Sequence, residues 1–495
     1  MKSADYKTPP MAWETDTLLK VTHGHLLHGH RPCIFSGIST DSRTMNRDDL
    51  FVALMGEHHD AHCFIPQIIR QGGRGFLVCE KQCKAENKIT ADIQKALNES
   101  GNDRNISIIA VPDTPAALGD MARYHRRQTA VSVIAVTGSN GKTTTKEMTA
   151  AVLRRRFSTL ATKGNFNNHI GMPLTLLQLR PEHEWAVLEL GMNHPGEIRT
   201  LGNICLPDIG IITNVAAAHI EGLGSIEGVA RAKGELLQTI RTGGTAIING
   251  EDPHVQQLVS RPFSKDHLQQ VLRFGFGENM DIRADSLHDT GNGTRFTLQL
   301  PDEHIDVHLK LPGTFMVLNA LAAAGAGYVC GVSTPDIRMG LEQFTGVPGR
   351  MHIIQTPCGI HIIDDTYNAN PGSMQAAITT LTTLRQLHNG FLVVGDMYEL
   401  GHESAKQHAR IGQLAALQGV SGLFITGRFA DEVAEGARNA GLSPERIFIG
   451  SKDAIVKQLI CHLKTGDWLL IKGSRAMAME TMVQKLIHHY ESHTL

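Results

Sequence analysis

The chain has 495 residues, enough for roughly three domains at about 150 residues each. Hydrophobic residues at 41% and charged residues at 19% exclude extensive disorder and collagen-like repeats. Lys+Arg 47 against Asp+Glu 49 leaves a formal charge of -2, so no global basic field exists to hold nucleic acid or an anionic membrane, and any anionic ligand must be caught locally.

Residues 1–20 lack the apolar run of a secretory leader, and no stretch of about 18 apolar residues occurs. Neither secretion nor a membrane span is expected, and the eight scattered cysteines read as reduced thiols of a cytoplasmic protein. Cys79 and Cys83 lie close, but no partner pair downstream completes a zinc site. Short apolar runs at Leu50–Leu54 and Phe76–Val78, separated by polar turns, predict a small α/β unit over residues 1–128. From Lys84 to Asn105 the chain is apolar-poor and reads as an exposed, partly helical insertion. Pro115 to Arg126 has helical periodicity and ends in the basic run His125-Arg126-Arg127, an exit from the first domain.

A central domain over 129–345 opens with the apolar strand Val131–Val136. Further strands at Trp185–Leu190 and Ile209–Asn214 alternate with helical stretches and predict a parallel sheet covered by helices. From Arg273 to Leu311, β-rich runs around turn signals such as Gly291-Asn292-Gly293 predict a meander packed beside that sheet. Val347-Pro348-Gly349-Arg350 reads as a hinge. In the last segment, 346–495, strands at His361–Asp365, Phe391–Gly395, Leu423–Thr426, Arg446–Ile449 and Trp468–Lys472 predict a doubly wound, Rossmann-like sheet.

The strongest chemical signal is Gly138-Ser139-Asn140-Gly141-Lys142-Thr143-Thr144, set between a strand and a helix. Glycines let backbone N–H groups turn onto phosphate oxygens, Lys142 supplies positive charge at the β/γ-phosphates, and the Thr143 hydroxyl suits Mg²⁺. Val136 stands where the first glycine of GxxxxGK[ST] would be, so the loop is a shortened variant. Glu189 ends an apolar strand and His219 follows Val215–Ala218 on a strand-to-helix loop; both are candidate metal ligands at strand ends. On a helix over Ser225–Ile240, Lys233 shares one stripe with Ile226, Val229, Ala230, Leu236, Leu237 and Ile240 and so points inward. A buried ammonium needs anionic partners or modification of the amine.

Together these motifs resemble the Mur ligase family, the ATP-dependent amide-forming enzymes of peptidoglycan precursor synthesis. The resemblance also rests on Ser39-Thr-Asp-Ser-Arg43, Lys163-Gly-Asn-Phe-Asn-Asn-His169, Glu189-Leu-Gly-Met-Asn193, Thr213-Asn214 and Ala230-Arg-Ala-Lys-Gly-Glu235. Asp364-Asp-Thr-Tyr-Asn-Ala-Asn-Pro371, Gly395-Asp-Met-Tyr-Glu-Leu-Gly401 and Lys472-Gly-Ser-Arg-Ala-Met477 resemble the member that adds D-alanyl-D-alanine to UDP-N-acetylmuramoyl-tripeptide. The likeness implies a monomer with UDP held by the first domain through Ser39, Asp41, Ser42 and Arg43. It implies muramyl-peptide contacts at Asn165, Asn167 and Asn168, and Mg²⁺ at Thr143, Glu189 and His219. Lys233 matches a lysine that some members carry as a carbamate. Asn319 is implied at adenine, Arg350 at phosphate, Asp365 at nucleotide, and Tyr367, Asn368 and Asn370 at the dipeptide. The implied chemistry is an acyl-phosphate made from ATP and captured by the dipeptide amine, with Lys142, His219 and Lys233 as catalytic groups. One departure stands out: Thr314-Phe315-Met316 lies where the family usually carries a His-Asn pair. A folylpolyglutamate-synthetase-like ligase with another amine, and a non-catalytic ATP-switched module, are the competing readings.

Overall fold

The computed structural model describes residues 12–492 apart from 30–31, 57–58, 85–86, 102–104, 261–267 and 292. The leader reading falls in part on residues 1–11, and the turn at 291–293 on Asn292, which lie outside the described residues. Three sheets carry the chemistry.

The first orders its strands His25–His28, Ser107–Val111, Gly75–Cys79, Asp49–Val52, Gly37–Ser39, parallel except for the His25–His28 edge. Its central strands are buried on both faces, as parallel strands are when helices cover them. Phe51, Phe76 and Val78 face Ile68, Ile93 and Leu97, while Leu50, Val52 and Leu77 face Trp13, Leu18 and Leu118. Much of the supposed exposed insertion is therefore covering structure: the helix Lys88–Ser100, capped by the Asn87 side chain, buries Ile93, Ala96 and Leu97. Three apolar residues at helical spacing suffice for that face, and they are too few to register as an apolar stretch.

The second sheet has nine strands. From one edge they run His304–Leu309, Thr294–Gln299, Ile282–Asp289, Gln270–Gly275, Thr245–Asn249, Ile209–Ile212, Ser132–Thr137, Trp185–Glu189, Thr159–Ala161. The meander does not pack beside the parallel sheet but extends it, because Ile282 pairs in parallel with Phe274 before the chain turns antiparallel. From Ser132–Thr137 the chain goes to the Thr159–Ala161 edge, back to Trp185–Glu189, and then to Ile209–Ile212 on the opposite flank of Ser132–Thr137. The winding reverses there, and the carboxyl ends around such a reversal open a crevice for ligands.

The third sheet places the five predicted strands in parallel, with an extra antiparallel edge, His352–Gln355, paired to His361–Asp365. Alternate residues serve two cores: Ile362, Val393 and Leu469 on one face, Ile363, Leu392 and Leu470 on the other. The predicted hinge is a tight turn with Gly349 at φ +75°, held by Asp364 accepting from the Gly349 N–H and Asp365 from that of Met351.

Candidate active site

The helix Lys142–Leu153 begins directly after the strand Ser132–Thr137, and its N-cap, Gly141, offers no side chain. The first-turn amides are left for an anion, which the helix dipole favours. Glycine is required on steric grounds. A Cβ on Gly138 would lie 1.8 Å from the Thr213 hydroxyl, and one on Gly141 2.3 Å from the Asn319 amide oxygen. The strand end Thr213-Asn214 holds the loop: Asn214 accepts the Asn140 N–H at 2.9 Å, and Thr213 donates to the Asn140 carbonyl at 2.6 Å. Ser139 donates to the carbonyl of Ala216.

The Lys142 ammonium donates to the Gly138 carbonyl at 2.9 Å, and burial pushes its pKa down. Thr143 donates to Glu189 Oε2 at 2.8 Å and accepts from Arg350 at 3.0 Å, so a residue of the last sheet reaches the phosphate loop. Asn167 donates to the other Glu189 oxygen at 2.8 Å. Asn168 receives the Ile170 and Gly171 N–H groups, so its amide oxygen is spent on shaping the turn into the helix Gly171–Leu176. Asn165, Asn167 and Asn168 nonetheless line one cavity with Lys142, Glu189 and Lys233.

That cavity, about 1080 Å³, lies between the second and third sheets. Its far wall is built by the strand ends of the last sheet. Lys472 donates to Asp365 at 2.6 Å and to the Asn368 carbonyl at 2.8 Å, a buried pair that braces the Tyr367–Asn370 loop. The Tyr367 ring lies under the Arg350 guanidinium at 4.0 Å, with Arg475 further off at 5.8 Å. Asn370 caps the helix Pro371–Arg385 in a capping box and donates to Asn140 of the phosphate loop at 2.7 Å. The Asn-Pro signal thus marks a helix start and a bridge between sheets at once.

Two of the predicted groups differ in surroundings. Lys233 is buried on the helix Ile226–Thr239, lines the cavity, and its ammonium has no hydrogen-bond partner among the described residues. Burial, with the charge of Lys142 nearby, drives its pKa well below the usual lysine range. His219 also lines the cavity, but its Nδ1 lies 2.6 Å from Glu399 Oε2 on the last sheet's side. The two atoms are in contact but poorly aligned for a hydrogen bond. Among the described residues no cluster of three His, Cys, Asp or Glu side chains is arranged to hold a metal, so any cation there rests on Thr143 and Glu189 first.

Asn319 lines the cavity beside Phe315, and its oxygen accepts from Thr145 at 3.2 Å. The first-domain candidates do not reach this cavity. Ser39 and Asp41 shape the turn after Gly37–Ser39, and Arg43 forks onto Asp41, whose carboxyl Arg43 lowers to about 2. Residues that sequence reasoning left without a role include Asn214, Tyr398, Glu399, Lys472 and Arg475. All five lie inside motifs quoted for the family resemblance, which was the available signal.

Family models of Mur ligases match along the chain: the family's catalytic domain at residues 34–126, the Mur ligase middle domain at 136–327, and the Mur ligase glutamate ligase domain at 349–475. The UDP-N-acetylmuramoyl-tripeptide--D-alanyl-D-alanine ligase of Escherichia coli K12 is 38% identical over 452 residues, 91% of this chain and 93% of that protein. The Bacillus subtilis enzyme of the same name is 33% identical, over 92% of this chain and 93% of its own length. A crystal structure of MurF from Acinetobacter baumannii superposes with TM-score 0.84 at 35% identity, covering 97% of this chain and 100% of that one. MurF from Thermotoga maritima in complex with ADP gives 0.78 at 28%, covering 92% and 98%. All eight cysteines are unpaired, and among the described residues no helix is long and apolar enough to cross a membrane. With three family models laid end to end and relatives matched over nine-tenths of their length, this chain belongs to the Mur ligase family of ATP-dependent, amide-bond-forming enzymes.

Proposed function

We propose that this enzyme joins the terminal carboxylate of UDP-N-acetylmuramoyl-tripeptide to the amine of D-alanyl-D-alanine, converting ATP to ADP and phosphate. The observation that carries this reading is the convergence of the phosphate loop, the Asn165–Asn168 loop and the Tyr367–Asn370 loop on one cavity, in a chain whose full-length relatives bear that name.

The phosphates of ATP fit the uncapped first turn of Lys142–Leu153, with Lys142 and Arg350 as the cations beside them. The donor set suits Mg²⁺, since the Thr143 hydroxyl and the Glu189 carboxylate are hard oxygen ligands already in contact with each other. Thr143 and Glu189 would hold the ion, with His219 lining the same cavity; once bound it would neutralise charge on the transferring phosphoryl group. The tripeptide carboxylate attacks the γ-phosphorus as the bond to the β,γ-bridging oxygen breaks and ADP leaves, and Lys142 and Arg350 offset the repulsion between the two anions. A carboxylate is a poor electrophile; the acyl-phosphate so formed is a good one. The dipeptide amine, in its neutral form, attacks its carbonyl carbon and gives up a proton to solvent, and collapse of the tetrahedral intermediate expels phosphate.

The remote position of Ser39, Asp41, Ser42 and Arg43 agrees with a long substrate, anchored by its UDP end on the first domain and reacting at its peptide end. Lys233 is suited to carbamylation: CO₂ requires a neutral amine, and burial beside Lys142 favours that form. Phosphate release measured with the UDP-tripeptide, with and without D-alanyl-D-alanine, and product mass read from the same tube, tests the assignment. Release requiring both, with the dipeptide added to the product, is the expected result; release driven by another amine would reassign the nucleophile.

A further inference from the structure

The segment Gly395–Gly401 follows the strand Gly390–Val394 and is tied down almost residue by residue within its own domain. Asp396 accepts the Arg428 and Phe429 N–H groups, Met397 donates to His408 at 2.9 Å, and Tyr398 donates to the Ser474 hydroxyl at 2.9 Å. Leu400 is buried. Glu399 is the exception. Its half-exposed side chain bonds nothing in its own domain among the described residues, and points across the domain boundary to His219. Both partners sit in the left-handed region, Glu399 at φ +64° and His219 at φ +56°. A β-carbon-bearing residue pays of order 1 kcal/mol for that conformation, and neither position has been given to glycine.

His219 gains little direction from its own surroundings. It follows the small run Ala216-Ala217-Ala218 and begins a helix of one turn, Ile220–Leu223. Glu399 is the one anionic group in contact with its ring nitrogen among the described residues. A carboxylate this close to one imidazole nitrogen favours ring orientations that keep that nitrogen toward it and, once the two align, a proton on that nitrogen.

We propose that Glu399 is a positioning residue for the amide-forming reaction: docking of the C-terminal domain brings its carboxylate to His219 and sets the imidazole, so that the site is completed only when the two domains meet. The proposal rests on the ligase reading, which the parent enzyme tests independently in the same assay.

The discriminating variant is Glu399→Gly, because glycine accepts φ +64° without strain. If the residue only shaped a turn, E399G would be at least as thermostable and fully active. The expected result is an unchanged or raised Tm with kcat lower by about 10–100-fold, the usual penalty for losing such a partner, and each KM within about threefold. Glu399→Gln, which can still accept from Nδ1–H, is expected to recover most of the loss. In a His219→Asn background, adding E399G should cost nothing further. ¹⁵N-histidine spectra, with the His219 signal assigned by its loss in H219N, should show an Nδ1–H tautomer in the parent and a mixture in E399G. An E399G enzyme of parental kcat, an undiminished penalty in the H219N background, a defect confined to KM, or an unaltered tautomer would each overturn the proposal.

Discussion

Lys233 is 1% exposed, and the ionic neighbour that matters most to it is another lysine, Lys142. An ammonium in that position costs stability wherever the unfolded chain is protonated and the folded one is not. The sign follows from proton counts: between the lowered folded pKa and the unfolded value of about 10.4, the unfolded state binds more protons, so stability rises with pH. In CO₂-free buffer Lys233→Met is therefore expected to be more stable than the parent at pH 7, with an advantage that shrinks toward pH 10. In ¹³C-bicarbonate the parent should show a carbamate carbon signal that Lys233→Met lacks. Parallel stability profiles and no such signal would leave the lysine a plain buried cation. The inward direction of this residue was legible from its place in the apolar stripe. Its lack of a partner was not, because that depends on what the facing elements leave uncovered.

At the scale of elements, the helix Pro371–Arg385 shows how one residue serves two levels. Asn370 satisfies the Ser373 N–H as a cap and reaches Asn140 with its amide nitrogen. Replacing a cap by alanine costs about 1 kcal/mol. Asn370→Asp keeps the cap oxygen but replaces the amide donor, so it should retain most of the thermal stability while weakening nucleotide-dependent activity. Asn370→Ala should lose both, and the two variants compared by melting temperature and by kcat/KM separate the roles. The strands Ser132–Thr137, Trp185–Glu189 and Ile209–Ile212 and the five parallel strands of the third sheet were legible because each is a short apolar run ending in glycine or a polar turn. Thr159–Ala161 and Thr245–Asn249 were not singled out, and neither the edge His352–Gln355 nor the burial of the helix Lys88–Ser100 was legible, since a four-residue hairpin arm and a three-residue buried face carry too little apolar signal. Likewise the meander's strands were readable but their attachment was not: sheet extension depends on a parallel pairing of two residue pairs, Phe274 with Ile282 and Gly275 with Arg283.

Besides the Glu221 N–H to the Glu399 carbonyl at 3.5 Å, three polar side-chain contacts among the described residues join the second and third sheets over the cavity: Arg350 to Thr143, Asn370 to Asn140, and Glu399 to His219. All three end on the Gly138–Thr144 loop or the wall beside it, so if ATP binds there, nucleotide binding and domain docking are expected to be coupled through the same residues. Small-angle scattering is expected to show the parent at its most compact with an ATP analogue and UDP-tripeptide together. An Asn140→Ala, Asn370→Ala double variant should compact less; equal compaction would mean that these amides do not hold the domains. From the amino-acid order alone came the three-domain α/β plan, the glycine-rich strand-to-helix loop with Lys142 and the family, because each is carried by residues close together in the chain. Which strand-end loops share a cavity, that Lys233 lies unpartnered beside Lys142, and that Glu399 meets His219 were decided by the tertiary structure. Those contacts join residues far apart in sequence, and they exist only where the second and third sheets are brought together by tertiary packing.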